Sequence, residues 1–171
     1  VDYLLTEPYE PALPIPSRDE VVELLEMAEA RELGPDDLIM RHHIPAFEDM
    51  PFQAQWTGEK TIPEGYHVAI VGAGFAGVAM GVQLVQLGIP FTIYERRAEV
   101  GGVWSINTYP DVRVDTLSFT YEYAFEKKYP WTEYFGRQSD VREYIDHVAR
   151  KYGVYEHIRF DADVQEARFD E

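Results

Sequence analysis

An α/β fold with a parallel sheet is predicted by three observations. A short apolar run, Val68 to Val71, breaks at Gly72-Ala73-Gly74-Phe75-Ala76-Gly77. A helix-like pattern follows that turn, with Val78, Val82, Leu84 and Leu87 recurring before Gly88 and Pro90 stop it. A second apolar run, Phe91 to Tyr94, ends on Glu95. Strand, glycine-rich turn, helix, strand and acid, in that order, make a Rossmann-like βαβ unit of the dinucleotide-binding kind. Ahead of it lies a helical and irregular N-terminal extension.

Each part of the unit has a physical task. Gly72 permits the tight turn out of the strand, and Gly74, without a Cβ, lets the backbone come close to a pyrophosphate. Gly77 lets the helix pack on the strand. Phe75 and Ala76 open that helix, whose first N–H groups and positive dipole end suit phosphate oxygens. Glu95 lies 23 residues after Gly72, where a carboxylate accepts hydrogen bonds from ribose hydroxyls. Arg96 and Arg97 follow the acid. A base there favours a 2′-phosphate, hence NADP; the plainer reading is two solvated arginines.

Composition narrows the classes of function. At 171 residues the chain is long enough for one domain with a core and short for a complete two-cofactor enzyme. The net charge of −16 argues against nucleic acid and anionic membrane as partners. The acidity is concentrated in residues 1–66, which hold 15 acids and 4 bases. Nothing approaches the roughly 20 apolar residues of a membrane span, and the N-terminus does not read as a signal peptide. Without cysteine there are no disulfides, no thiol catalysis and no Cys-ligated zinc, which suits a cytoplasmic protein.

The extension, residues 1–65, divides into three pieces. Pro8, Pro11, Pro14 and Pro16 make residues 1–16 an extended arm. Ser17 to Glu20 form a capping box, and Val21, Leu24, Leu25 and Ala28 fall on one helical face, with Gly34 expected to end the helix and residues 36–41 to add another short helical turn. Leu24, Leu25 and Ala28 are expected to pack on the main domain or on another subunit. From His42 to Gly65 the composition is that of an irregular linker. His42 and His43 are adjacent with no third ligand in view, so no metal site is assigned.

Beyond the βαβ unit, residues 98–125 gather glycine and aromatics. Gly101-Gly102 permits another close backbone approach. Phe119, Tyr121, Tyr123 and Phe125 alternate, which predicts a strand whose Phe residues pack in the core. Trp104 and Tyr121 are the better candidates for a cofactor wall, being flat, apolar and polar-tipped. Arg113 and Asp115 would share one side of an extended segment. Ser139-Asp140 opens a further helix with Val141, Tyr144, Ile145, Val148 and Tyr152 on one face and Gly153 at its end. His147 and His157 read as structural. Residues 158–160 predict a third parallel strand, and alternation over 164–169 predicts the start of another.

Together, VAIVGAGFAG, FTIYE, EVGGVWSINTYPDVRVD, SFTYEYAF and YGVYEHIRFDADV resemble the first FAD-binding portion of Baeyer–Villiger monooxygenases, most closely the 4-hydroxyacetophenone monooxygenase type. The match covers residues 66–171; the first 65 agree only in being an extension. It implies a tightly bound FAD and a second domain for NADPH. In that chemistry NADPH reduces the flavin, O₂ forms a flavin peroxide, and a ketone becomes an ester or lactone. By position, Gly72, Gly74, Phe75, Ala76 and Gly77 hold the pyrophosphate, and Glu95 and Arg96 the adenosine ribose. Gly102, Val103, Trp104, Tyr109 and Tyr121 flank the flavin end, and Asp115 matches an aspartate placed near the flavin and the active-site arginine.

Two departures accompany the match. Asp111 stands where the family usually has glycine. The Phe-x-Gly-x-x-x-His-x-x-x-Trp fingerprint, the second glycine-rich motif and the active-site arginine belong, in the family, beyond residue 171. The chain is therefore expected to be the N-terminal piece of a longer protein, with a ketone, O₂ and the remaining NADPH domain as partners, and a homodimer as a further option. The alternatives are an N- or S-hydroxylating flavin monooxygenase, a non-catalytic FAD-binding fragment and an NAD(P)-linked dehydrogenase.

Overall fold

A computed structural model describes residues 16–41, 54–127 and 129–170. The proline-rich arm before Pro16 and the His42-His43 pair lie outside them. The chain divides between Asp49 and Met50 into two compact units.

In the first unit, helix α1 (Arg18–Glu29) starts as its capping box predicts. The Ser17 N–H donates to Glu20 at 2.7 Å, and the Glu20 N–H donates to the Ser17 hydroxyl at 3.4 Å. The helix ends well before Gly34. Ala30 turns left-handed, with φ 53°, and its N–H closes onto the carbonyls of Glu26 and Met27. Arg31 then pairs with Asp37 at 3.0 Å and the Leu33 N–H bonds the Glu26 side chain, contacts a continuous helix would not allow. Helix α2 (Pro35–Arg41) follows. On the face read from α1, Val21 is buried and Leu25 half-buried, while Leu24 and Ala28 are exposed.

The second unit holds the sheet. Residues 54–65 have no helix or strand and lie along helix α3 (Phe75–Leu87): the Ala54 N–H donates to Gln83 at 2.7 Å and the Trp56 indole to the Leu87 carbonyl at 3.1 Å. Strand β1 (Val68–Val71) pairs in parallel with β2 (Phe91–Tyr94), Val68 opposite Phe91 and Val71 opposite Tyr94. The βαβ crossover between them is α3, closed at its C-terminus by left-handed Gly88, as read from the sequence. Strand β3 (Ile158–Arg159) adds to the other edge of β2, Ile93 opposite Ile158. The sheet order is β1-β2-β3.

Helix α5 (Gln138–Lys151) supplies the facing layer. It starts a residue ahead of Ser139, with the Arg137 N–H held by Asp140 at 3.2 Å. Val141, Tyr144, Ile145 and Val148 are completely buried with Val78, Val82 and Ile93. Gly81 on α3 is a packing requirement, since a Cβ there would meet Val154 at 2.6 Å.

Two strands expected from alternation are absent from the described residues. Residues 118–125 form a 3₁₀ turn (Ser118–Thr120) followed by further turns, because the buried Ser118 hydroxyl ties this stretch to the main chain of 133–136. Phe119 is exposed as a result, and Tyr123 is the aromatic that reaches the core. Residues 162–170 run without regular structure: the Ala162 N–H bonds the Glu95 carbonyl at 2.9 Å, no strand among the described residues pairs with the rest, and Phe169 is exposed.

Candidate dinucleotide site

The glycine-rich turn takes the shape its residues allow. Gly72 leaves β1 at φ 95°, a conformation that favours glycine. Gly77 is fixed by contact, because a Cβ there would sit 2.0 Å from the Gly72 carbonyl oxygen. Gly74 caps α3 in extended conformation and offers no side-chain acceptor, so the first-turn N–H groups have no capping partner from it. Helix α3 has 13 residues, long enough for an effective positive end.

A second glycine pair closes against the first. The Gly101 N–H bonds the Ala73 carbonyl at 3.0 Å, and Gly102 follows at φ 56°. A Cβ on Gly102 would lie 3.0 Å from the Gly74 Cα, and one on Gly74 would lie 3.4 Å from the Gly102 Cα. Gly102 caps the short helix α4 (Val103–Ile106), which carries Trp104. The Trp104 indole N–H donates to the Tyr121 hydroxyl at 3.2 Å with the rings edge to face, and Tyr121 meets the Phe75 ring in the same manner at 5.2 Å. The result is a cleft of about 290 Å³, bounded by Gly72, Gly74, Phe75, Ala76 and Gly77 on one side and by Gly101, Val103, Trp104 and Tyr121 on the other.

Gly72 also borders a neighbouring cleft of about 230 Å³, lined by Tyr94, Glu95, Arg96 and residues 162–164. Glu95 is buried and already engaged: one oxygen accepts the Ala73 N–H at 2.7 Å and the other the Arg97 N–H at 2.9 Å. The carboxylate thus braces the turn and also borders the cleft, with lone pairs left for further donors. Arg96 is exposed at its side, while Arg97 reaches back to the Ser105 carbonyl at 3.3 Å.

The structure therefore brings together Gly72, Gly74, Phe75, Ala76, Gly77, Glu95, Arg96, Gly102, Val103, Trp104 and Tyr121. Tyr109 is exposed and borders a different depression, with Asp111 and Arg137. Asp115 is exposed and lines none of these clefts. Arg113 pairs with Asp111 and with Glu133, the latter at 3.0 Å, in place of Asp115. Asp111 sits at φ 61°, the left-handed region that glycine favours, so this departure from the family pattern keeps the turn. Gly101, read with Gly102 as a place of close backbone approach, joins the lining of one cleft, and residues 162–164, which no motif marks, join the other.

These features define a Rossmann-like dinucleotide-binding unit. The model of the NAD(P)-binding Rossmann-like domain family matches residues 70–137. The chain is 32% identical over 160 residues to an uncharacterized monooxygenase of Sinorhizobium fredii, covering 91% of this chain and 23% of the relative. That alignment reaches into the extension, so the likeness is not confined to residues 66–171. A Baeyer–Villiger monooxygenase of Streptomyces coelicolor is 36% identical over 110 residues, covering 64% of this chain and 21% of its own length. The crystal structure of OTEMO in complex with FAD and NADP superposes with a TM-score of 0.58 at 31% identity, over 62% of this chain and 20% of that one. The chain is thus related in sequence and fold to Baeyer–Villiger monooxygenases. It spans about a fifth of the length of these relatives.

Proposed function

We propose that this chain forms the FAD-binding part of a cytoplasmic monooxygenase that uses NADPH and O₂ to insert one oxygen atom beside a ketone carbonyl, giving an ester or lactone. The observation that carries the reading is that two clefts meet at Gly72, which lines both. One offers a helix N-terminus and an aromatic wall, the other a buried carboxylate, which is the order of chemistry along a flavin dinucleotide. The donor set fits the group: Gly74 leaves the N-terminus of α3 without a side-chain cap, and the Glu95 carboxylate borders the neighbouring cleft.

In this assignment the N–H groups of Phe75, Ala76 and Gly77 bind the pyrophosphate. Glu95 accepts from the ribose hydroxyls while holding Ala73 and Arg97 in place. Trp104 and Tyr121, locked by their mutual hydrogen bond, exclude water from the flavin end. When bound, FAD supplies the electron transfer between NADPH and O₂. Tyr109 and Asp115 lie outside both clefts and have no FAD contact in this assignment. A second copy of the chain is a further partner in this reading.

An NAD(P)-linked dehydrogenase is the second reading, favoured by the description of the matching family model. Absorption spectroscopy separates the two. The purified chain incubated with FAD is expected to retain a flavin spectrum after gel filtration. The full-length protein is expected to bleach with NADPH and to consume it in air in a ketone-dependent way, with ester as product. A colourless chain that instead retains a nicotinamide nucleotide would overturn the flavin assignment.

A further inference from the structure

One buried hydroxyl joins the two walls of the cleft without lining either. Tyr123 is buried, and its O–H donates to the Phe75 carbonyl at 2.8 Å, the first residue of α3. Its ring packs on the Phe75 ring at 4.3 Å and stacks on Phe125 at 4.9 Å. Its own N–H donates to the Tyr144 hydroxyl at 2.7 Å, and that hydroxyl donates onward to the Glu126 carbonyl at 2.7 Å. Two residues earlier in the chain, Tyr121 stands in the cleft wall with Trp104 bonded to it.

We propose that Tyr123 is a positioning residue for the cofactor cradle, fixing the first turn of α3 through the Phe75 carbonyl and presenting Tyr121 through the backbone it shares. The proposal rests on the FAD-binding reading and adds to it a residue that the glycine motif does not contain. The physical case has three parts. The Phe75 carbonyl belongs to the same peptide unit as the Ala76 N–H, and Ala76 lines the cleft. A donor on that carbonyl polarises the unit and strengthens the N–H toward an anion. Packing alone does not call for tyrosine at this position, because a phenylalanine ring would make the same ring contacts. Burial, with a smaller contribution from Tyr121, pushes the Tyr123 phenol well above its ordinary value, so it remains a neutral donor.

The test compares Tyr123→Phe with Tyr152→Phe. Tyr152 bonds the Phe125 carbonyl at 3.0 Å and Glu126 at 2.8 Å, so it ties the same segment to the end of α5 but does not bond Phe75. Three quantities are read on the full chain: FAD affinity by flavin fluorescence, the visible circular dichroism of bound flavin, and hydrogen exchange of amides 75–79 without ligand. Tyr123→Phe is expected to weaken FAD about tenfold, alter the flavin dichroism and speed exchange in that turn. Tyr152→Phe is expected to lower the unfolding temperature while FAD affinity stays within about twofold. Equal losses of FAD affinity in both variants, or unchanged affinity and exchange in Tyr123→Phe, would overturn the proposal. If the parent chain binds no FAD, the functional reading fails; the exchange measurement still decides whether Tyr123 holds the turn.

Discussion

The glycine-rich turn and the aromatic segment face one another across a single cleft, and they are built by opposite means. The turn is set by backbone: Gly72 at positive φ, Gly77 against the Gly72 carbonyl, Gly74 against Gly102. The aromatic segment, residues 117–136, is set by side chains that bond main chain. The Ser118 hydroxyl bonds Gly136, Glu133 and Tyr134, the Tyr144 hydroxyl bonds Tyr123 and Glu126, and Glu122 accepts the Tyr129 N–H at 3.1 Å. A wall made from backbone tolerates few residue types at a few positions. A wall made from side-chain hydrogen bonds spreads its specification over many positions, each contributing a little.

That difference orders the expected effects. Gly77→Ala is the most severe, since its Cβ falls 2.0 Å from a carbonyl oxygen that the strand cannot move. Overpacking of this kind costs about 3 kcal/mol, and thermal unfolding of the variant should show a large drop together with loss of FAD binding. A Gly77→Ala chain of parental stability would mean that α3 can slide on β1 and that the turn is less rigid than described.

Gly74→Val tests the same wall with less strain. The new Cβ meets the Gly102 Cα at 3.4 Å, an ordinary contact, and the branched methyls crowd that backbone further, so the variant should lose about 1–3 kcal/mol. Its methyl groups occupy the anion's approach to the helix N-terminus, and FAD affinity should fall by about 100-fold or more. Equilibrium dialysis with FAD checks this, and retained flavin would remove the pyrophosphate from this turn.

The same contrast explains what could be read without coordinates. The βαβ unit was legible because its glycines are demanded one at a time by geometry, and because apolar runs of four bracket a helical period. Trp104 and Tyr121, singled out as flat and polar-tipped, do line one cleft together. The strand expected over Phe119–Phe125 failed because alternation is a local signal, whereas Ser118 commits the segment to a turn through partners 15–18 residues away. Tyr123 went unassigned for the same reason: its partner Phe75 is 48 residues distant. Extending α1 to Gly34 failed because Ala30 took the left-handed cap that glycine usually occupies.

Acid should weaken the aromatic segment through Glu126. Burial on its own would raise the Glu126 carboxyl, but hydrogen bonds from Lys151, Tyr152 and His147, with the charge of Lys151, outweigh it and hold the group below its ordinary value. Because the folded value lies below the unfolded one, this contribution is complete above the unfolded carboxylate range, about pH 4.5, and is lost as pH falls through the folded value. Glu126→Gln should lower stability at neutral pH by about 2 kcal/mol and flatten the acid limb of the unfolding-temperature profile. An acid limb equally steep in Glu126→Gln would assign it to other carboxylates.

The smallest effect is expected at Asp111, where a side chain stands in a place shaped for glycine. Its φ of 61° strains most residues, but aspartate tolerates the left-handed region better than most. Its carboxylate also accepts the Arg113 Nε–H at 3.0 Å. Replacement by glycine removes the strain and the ion pair together and frees the unfolded chain, so the three changes should nearly cancel. Asp111→Val keeps a Cβ, adds branching and loses the carboxylate, which should cost about 1–2 kcal/mol. Denaturant midpoints at low and high salt separate the contributions, because screening weakens an exposed ion pair and leaves backbone strain untouched. If Asp111→Gly is clearly destabilised at low salt and recovers at high salt, the pair with Arg113 holds this turn. If glycine is neutral at both, φ decides, and this turn, like the glycine-rich one, is governed by backbone.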